Sequence, residues 1–161
     1  MIGDLQNIGS LSETSLNNIR QISHQLMPPQ LETFGLVKTL EFVSEQLNKT
    51  DDIKLELKAP EIIPDMSFPL KLAFYRIFME LINNTIKHSG ANKITVELNF
   101  NLLNVIGLYR DNGKGIVAES FQEGMGQKSM EGRVNSLGGT MTSGNHPEGG
   151  FYASICIPLG A

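Results

Sequence analysis

Four polar side chains spaced three and four residues apart, Glu80, Asn84, Lys87 and His88, are where this 161-residue sequence could first do chemistry. They lie in residues 70–88, a run with neither Gly nor Pro, and such spacings stack side chains on one face of a helix. A carboxylate, an amide oxygen, an ammonium and an imidazole gathered there could hold a metal ion and a phosphate chain. A solvated polar face with ordinary i,i+4 pairs would look the same. At about 100° per residue, Phe74, Phe78, Leu81, Ile82 and Thr85 fall on the other side.

Two glycine-spaced stretches follow. Asp111-Asn112-Gly113-Lys114-Gly115 comes directly after an apolar alternating run. A carboxylate at a strand end, with glycines that let a flat ring approach the backbone, suits an acceptor for the exocyclic amine of adenine. A turn without function could have the same residues. Gly124-Met125-Gly126 precedes a helix expected to begin near Lys128. Glycines leading into a helix N-terminus expose backbone N–H groups to phosphate oxygens, although a flexible hinge shares that composition. A Walker sequence is absent, as is a Gly-x-Gly-x-x-Gly between strand and helix.

The elements that must position these residues can be read in order. Residues 4–27 carry Leu5, Ile8, Leu11, Leu16, Ile19, Ile22 and Leu26 with polar residues between them. That is an amphipathic helix with a near-heptad seam, which needs a partner surface. Pro28-Pro29 is expected to end it. A short helix over 36–47 is entered through Gly35. Ile53, Leu55 and Leu57 alternate with charged residues, as in a half-buried strand. The helix of 70–88 ends at Ser89-Gly90, where Gly can supply the left-handed residue. Strands over 94–100 and 103–109 form an antiparallel hairpin, and 111–127 is a long loop. A helix over 128–137, a Gly138-Gly139 turn, and strands over 140–143 and 151–157 complete the chain. Grouped strands with interleaved helices and few parallel crossovers predict an α+β two-layer sandwich.

Composition sets the bounds. A hydrophobic content of 40% supports a packed core. A net charge of −4 with no basic cluster argues against nucleic-acid binding by phosphate neutralisation. The single cysteine, Cys156, excludes an internal disulfide and is expected to be a buried structural thiol. No apolar run reaches the ~20 residues of a membrane span, so no membrane contact within this chain is expected. A zinc site is not expected either, with no second Cys or His at ligand spacing.

Taken together, Glu80, Asn84 and Lys87-His88, then Asp111-x-Gly113-x-Gly115, then Gly124-x-Gly126, resemble the N, G1 and G2 boxes of the histidine kinase ATP-binding domain. That Bergerat-type fold is shared with the gyrase, heat-shock and mismatch-repair ATPases. The stretch Ile22-Ser23-His24-Gln25-Leu26-Met27-Pro28 and Gly35-Leu36-Val37 resemble the end of the dimerisation hairpin in nitrate-sensor-type two-component kinases. The resemblance implies residues 1–30 as the second helix of that hairpin and residues 31–161 as the catalytic domain. It implies ATP and Mg2+ as cofactors, with Asn84 as the metal ligand and Glu80 as the residue that polarises the attacking imidazole or positions a metal-bound water. Lys87 and His88 would sit near the phosphates, and Asp111 would read the adenine amine in a pocket shaped by Gly113 and Gly115. Gly124 and Gly126 would end the ATP lid. The γ-phosphoryl would go to a histidine upstream of this chain and then to a response-regulator aspartate. A second kinase protomer, met through the helical arm, and a receiver domain are the implied partners. The implied location is the cytoplasm, with any membrane anchor lying upstream. His24, near the Pro-Pro junction, is read as structural rather than as the acceptor. The sequence departs from the family at Gly126-Gln127, where Gly-Leu is common, and at Gly150-Phe151, where Gly-Thr is common. Two other readings stay open: a serine kinase of the same fold, and a binding module that closes on nucleotide without chemistry.

Overall fold

The computed structural model describes residues 29–116 and 125–161. The expected N-terminal helix, with His24, and residues 117–124 of the expected loop, with Gly124, lie outside them.

Among the described residues, three helices and five strands follow in the order α1 (Pro29–Asn48), β1 (Lys54–Lys58), α2 (Phe68–His88), β2 (Lys93–Phe100), β3 (Asn104–Asp111), α3 (Met125–Ser136), β4 (Thr140–Asn145) and β5 (Phe151–Pro158). The sheet order is β1-β2-β3-β5-β4. β1 and β2 run parallel, with Leu55 opposite Ile94, because α2 carries the chain back across the sheet between them. The other pairings are antiparallel, and Ile94 lies opposite Asp111 at the end of the β2–β3 ladder. The α+β expectation holds.

Alternation buries one residue in two along β2 and β3. Ile94, Val96, Leu98, Val105, Ile155 and Ile157 form the inner face of the sheet, and Phe74, Ile77, Phe78 and Ile82 of α2 pack in the same core. Burying each of these side chains contributes about 1.5–3 kcal/mol. A Cβ at Gly107 would lie 2.7 Å from the Phe74 ring and 2.9 Å from Phe78. The missing side chain on β3 therefore lets α2 sit down on the sheet.

Helix α2 has well-defined ends. Ser67 is its N-cap, with its Oγ accepting from the Leu70 N–H at 3.3 Å. Pro69 sits in the first turn, where no amide donor is needed. The Ser89 N–H and Oγ both donate to the Thr85 carbonyl, and Gly90 follows at φ 65°. The expected Ser-Gly stop is present.

Three expectations are corrected. Helix α1 begins at Pro29, not after Gly35, and the chain kinks at Gly35 (φ 80°, ψ 176°). Pro29 can open a helix because its absent N–H would have lacked a partner there, and buried Leu31 anchors the extra turn. Helix α3 begins at Met125, so Gly126 is a first-turn helical residue and not part of the preceding loop. Cys156 is half-buried, because alternation points Ile155 and Ile157 inward and leaves it on the opposite face.

Candidate nucleotide site

A cleft of about 620 Å³ opens beside the C-terminal half of α2. Glu80, Asn84, Lys87 and His88 all line it, as their helical spacing predicts. Glu80 and Asn84 are half-buried, whereas Lys87 and His88 are exposed at the rim. Asp111, Lys114, Gly115 and Gly126 line it from the other elements, and Met130, Met141 and Phe151 add apolar wall. A larger depression, of about 720 Å³, lies at the Gly35 kink and gathers none of the expected residues.

Asp111 is the buried carboxylate of this cleft. Its position at the last residue of β3 places it opposite Ile94 and beside α2. Oδ1 accepts from the Gly113 N–H at 2.9 Å and the Phe151 N–H at 3.2 Å. Oδ2 accepts from the Thr85 hydroxyl at 2.8 Å. Thr85 and Tyr109 hydroxyls lie 2.6 Å apart, and the Tyr109 hydroxyl is within 3.1 Å of the Leu81 carbonyl. Burial holds the Tyr109 hydroxyl far above its ordinary range, and the nearby Asp111 charge acts in the same direction. Tyr109 is therefore a neutral donor.

The loop after Asp111 is fixed on three sides. The Asn112 carbonyl oxygen of the side chain accepts from the backbone N–H groups of Asn92 and Lys93, both at 3.0 Å. The Lys114 N–H donates to the Ser89 carbonyl at 2.9 Å, and a Cβ at Gly113 would lie 2.6 Å from Ser89. Gly113 is thus packed behind the cleft instead of lining it; it serves the site through its N–H to Asp111. The Asn145 side chain accepts from the Ile116 N–H at 2.6 Å and donates to the Ile116 carbonyl at 2.9 Å. Gly115, at φ 73°, lies against the same Asn145.

At the other end of the cleft, a Cβ on Gly126 would lie 2.5 Å from Glu80 Oε1. The carboxylate therefore reaches the first turn of α3, where helix polarity favours negative charge. Gly150 (φ 85°) passes so close to the Asp111 carbonyl that no Cβ fits, and this contact aims the Phe151 N–H at the carboxylate. At position 151, where the resemblance implies a hydroxyl, stands the half-buried ring of Phe151.

Sequence reasoning missed Thr85, Tyr109, Lys114, Asn145 and the methionines. Thr85 carried a usable signal, since a hydroxyl on a core-facing helix position needs a partner. Period-two alternation likewise places Tyr109 and Asp111 on one face of β3. Among the described residues no group of three or more His, Cys, Asp or Glu side chains could hold a metal. No helix among them is long and apolar enough to cross a membrane.

Known proteins match this arrangement. Residues 70–161 match the family model of the histidine kinase-, DNA gyrase B- and HSP90-like ATPases. The signal transduction histidine-protein kinase/phosphatase DegS of Brevibacillus brevis is 27% identical over 97% of this chain and 41% of its own length. The sensor histidine kinase ComP of Bacillus subtilis is 31% identical over 87% of this chain and 19% of its own. The chain therefore spans less than half the length of these relatives. In structure it is similar to the ATP binding domain of PrrB from Mycobacterium tuberculosis, with a TM-score of 0.61, 21% identity, and 76% of this chain and 93% of that one covered. It is also similar to the blue-light activated histidine kinase EL346 of Erythrobacter litoralis, with a TM-score of 0.64, 14% identity, and 96% and 59% covered. With its cleft framed by α2, the Asp111 loop and α3, this chain belongs to the histidine kinase-, DNA gyrase B- and HSP90-like ATPase family and carries its ATP-binding domain.

Proposed function

We propose that the chain is the ATP-binding and catalytic part of a sensor histidine kinase, which transfers the γ-phosphoryl group of ATP to a histidine for relay to a response-regulator aspartate. The observation that carries this reading is the division of the cleft into two ends. One end presents a buried carboxylate held by two backbone N–H groups and a hydroxyl. The other presents a carboxylate and an amide one helical turn apart, flanked by Lys87 and His88.

Each end suits one part of the nucleotide. Asp111 accepts the adenine amine, and Met130, Met141 and Phe151 offer apolar surface to the base. Asn84 Oδ1, with Glu80 close by, supplies oxygen ligands of the kind Mg2+ accepts. That ion takes one or two protein oxygens and fills its other positions with phosphate and water. A zinc ion would want several nitrogen or sulfur ligands, and this end of the cleft has a single imidazole, that of His88. When bound, magnesium would neutralise phosphate charge. Lys87 and His88 at the rim add cationic and donor groups for the phosphates, and Glu80 orients the attacking imidazole. Catalysis then comes mainly from positioning and charge neutralisation. The acceptor histidine, a second protomer and a receiver domain belong to this proposal, as does a cytoplasmic location.

Glu80→Gln in the full-length protein tests the assignment of chemistry to the phosphate end. Nucleotide affinity should stay within about threefold, while labelling of histidine from γ-labelled ATP should fall by roughly 10²–10⁴, the usual contribution of a positioned acid–base group. Undiminished acid-labile label in that variant would remove Glu80 from the mechanism.

A further inference from the structure

We propose that Tyr109 and Thr85 form a buried donor relay that fixes the plane of the Asp111 carboxylate, making both of them positioning residues for recognition of the base. The inference rests on the reading of Asp111 as the adenine acceptor.

The three side chains are almost fully removed from water, with 3% of Thr85, 2% of Tyr109 and 3% of Asp111 exposed. An ionised carboxylate has about four acceptor positions, two on each oxygen. Gly113 and Phe151 fill both positions on Oδ1, and Thr85 fills one on Oδ2. One position on Oδ2 is left for a donor arriving from the cleft. Its direction depends on the carboxylate plane, and the terminal torsion of an aspartate is intrinsically broad. Two N–H groups hold Oδ1 and the Thr85 hydroxyl holds Oδ2, so without the hydroxyl that one torsion rests on the bonds of a single oxygen.

Proton counting couples Tyr109 to this bond. Thr85 has one hydroxyl proton, and it can go to Asp111 at 2.8 Å or to Tyr109 at 2.6 Å. Tyr109 likewise has one, for Thr85 or for the Leu81 carbonyl at 3.1 Å. If Thr85 gives its proton to Asp111 while Tyr109 gives its own to Leu81, two oxygens meet at 2.6 Å with no hydrogen between them. The hydroxyls must therefore turn together. The arrangement Tyr109 to Thr85 to Asp111 places the last hydrogen on a carboxylate, where charge strengthens it. Burial keeps Tyr109 protonated, so it always has a hydrogen to give.

The relay predicts a defect confined to ligands with an amine at the purine 6-position. A 6-oxo purine presents an acceptor there and gains nothing from a well-aimed Oδ2, so a variant that merely loosens the domain would weaken both nucleotides alike. The test is calorimetric titration of the 161-residue chain with ATP and with inosine triphosphate, for the wild type, Thr85→Val, Thr85→Ser, Tyr109→Phe and the Thr85→Val/Tyr109→Phe double variant. Thr85→Val should weaken ATP by about tenfold, the scale of one hydrogen bond to a charged group, and leave inosine triphosphate unchanged. Thr85→Ser should restore ATP affinity to within about twofold, since it keeps the donor. Tyr109→Phe should weaken ATP by a few-fold, and have no further effect in the Thr85→Val background, because the two act through one bond. Should Thr85→Val not fold, the ATP-to-inosine ratio of Tyr109→Phe decides alone: a fall supports the relay, and a wild-type ratio overturns it. Equal losses for both nucleotides, or a wild-type ratio in Thr85→Val, would overturn the relay while leaving Asp111 as the acceptor. A wild type that does not prefer ATP would overturn the reading of Asp111 itself, and the relay with it.

Discussion

Gly150 and its neighbour Gly149 allow the packing behind Asp111 to be measured by a single comparison. Both adopt the left-handed region, at φ 85° and 98°, where an alanine costs about 1–2 kcal/mol. Both would also regain about 0.4–1 kcal/mol by restricting the unfolded chain. They differ in space. A Cβ at Gly149 meets nothing within 4 Å, whereas at Gly150 it would press on the Asp111 carbonyl oxygen, 2.8 Å from its carbon and 3.1 Å from Asn112 Cα. These obstacles are backbone atoms and cannot swing aside, so the overpacking cost falls near the upper part of the roughly 1–3 kcal/mol range. Gly149→Ala should therefore cost about 1 kcal/mol or less, and Gly150→Ala about 2–4 kcal/mol. For a domain of this size that separates the melting temperatures by very roughly 5–15 °C. Urea denaturation of both variants, read at unchanged m-value, gives the difference directly. Equal destabilisation would refute the packing argument, leaving only a shared conformational cost.

Two further outcomes follow from the same geometry. Asn145→Leu removes both hydrogen bonds to Ile116 and should weaken ATP about tenfold, each lost bond costing about 0.5–1.5 kcal/mol; an unchanged affinity in titration would show that Gly115 holds its place without the clamp. Tyr109 has its hydroxyl pKa raised by burial in the folded state, so the unfolded chain releases that proton first; stability is fully present below about pH 10 and falls above it. Tyr109→Phe should flatten that alkaline decline in denaturant midpoint, and an identical slope would contradict it.

Much of this was legible in the sequence, for identifiable reasons. Helix α2 has no Gly and no Pro beyond Pro69 of its first turn, has polar and apolar stripes, and has capping residues at both ends, so every level of local preference agreed. The β2–β3 hairpin was equally plain from alternation. The start of α1 was not, because Pro28-Pro29 is compatible both with ending one helix and with opening the next. Gly126 misled for a related reason: glycine composition does not say whether a residue precedes a helix or occupies its first turn, and here contact with Glu80 accompanies the helical placement. Glu80, Asn84, Lys87 and His88 came from periodicity alone, whereas the hydroxyls behind Asp111 and the Asn145 clamp come from elements far apart in the chain. Thr85 and Asp111 are 26 residues apart, and Ile116 and Asn145 are 29. Which strand edges meet is decided by the sheet order, and no local pattern carries that information.

The central claim is that the Asp111 cleft binds an adenine nucleotide through that carboxylate. Calorimetric titration with a non-hydrolysable ATP analogue and Mg2+, on the wild type and on Asp111→Asn, tests it most directly. The wild type should bind saturably, and Asp111→Asn about ten- to hundredfold more weakly through loss of a charged acceptor worth roughly 1.5–3 kcal/mol. Equal affinity in the two proteins, or no binding by a folded wild type, would contradict it.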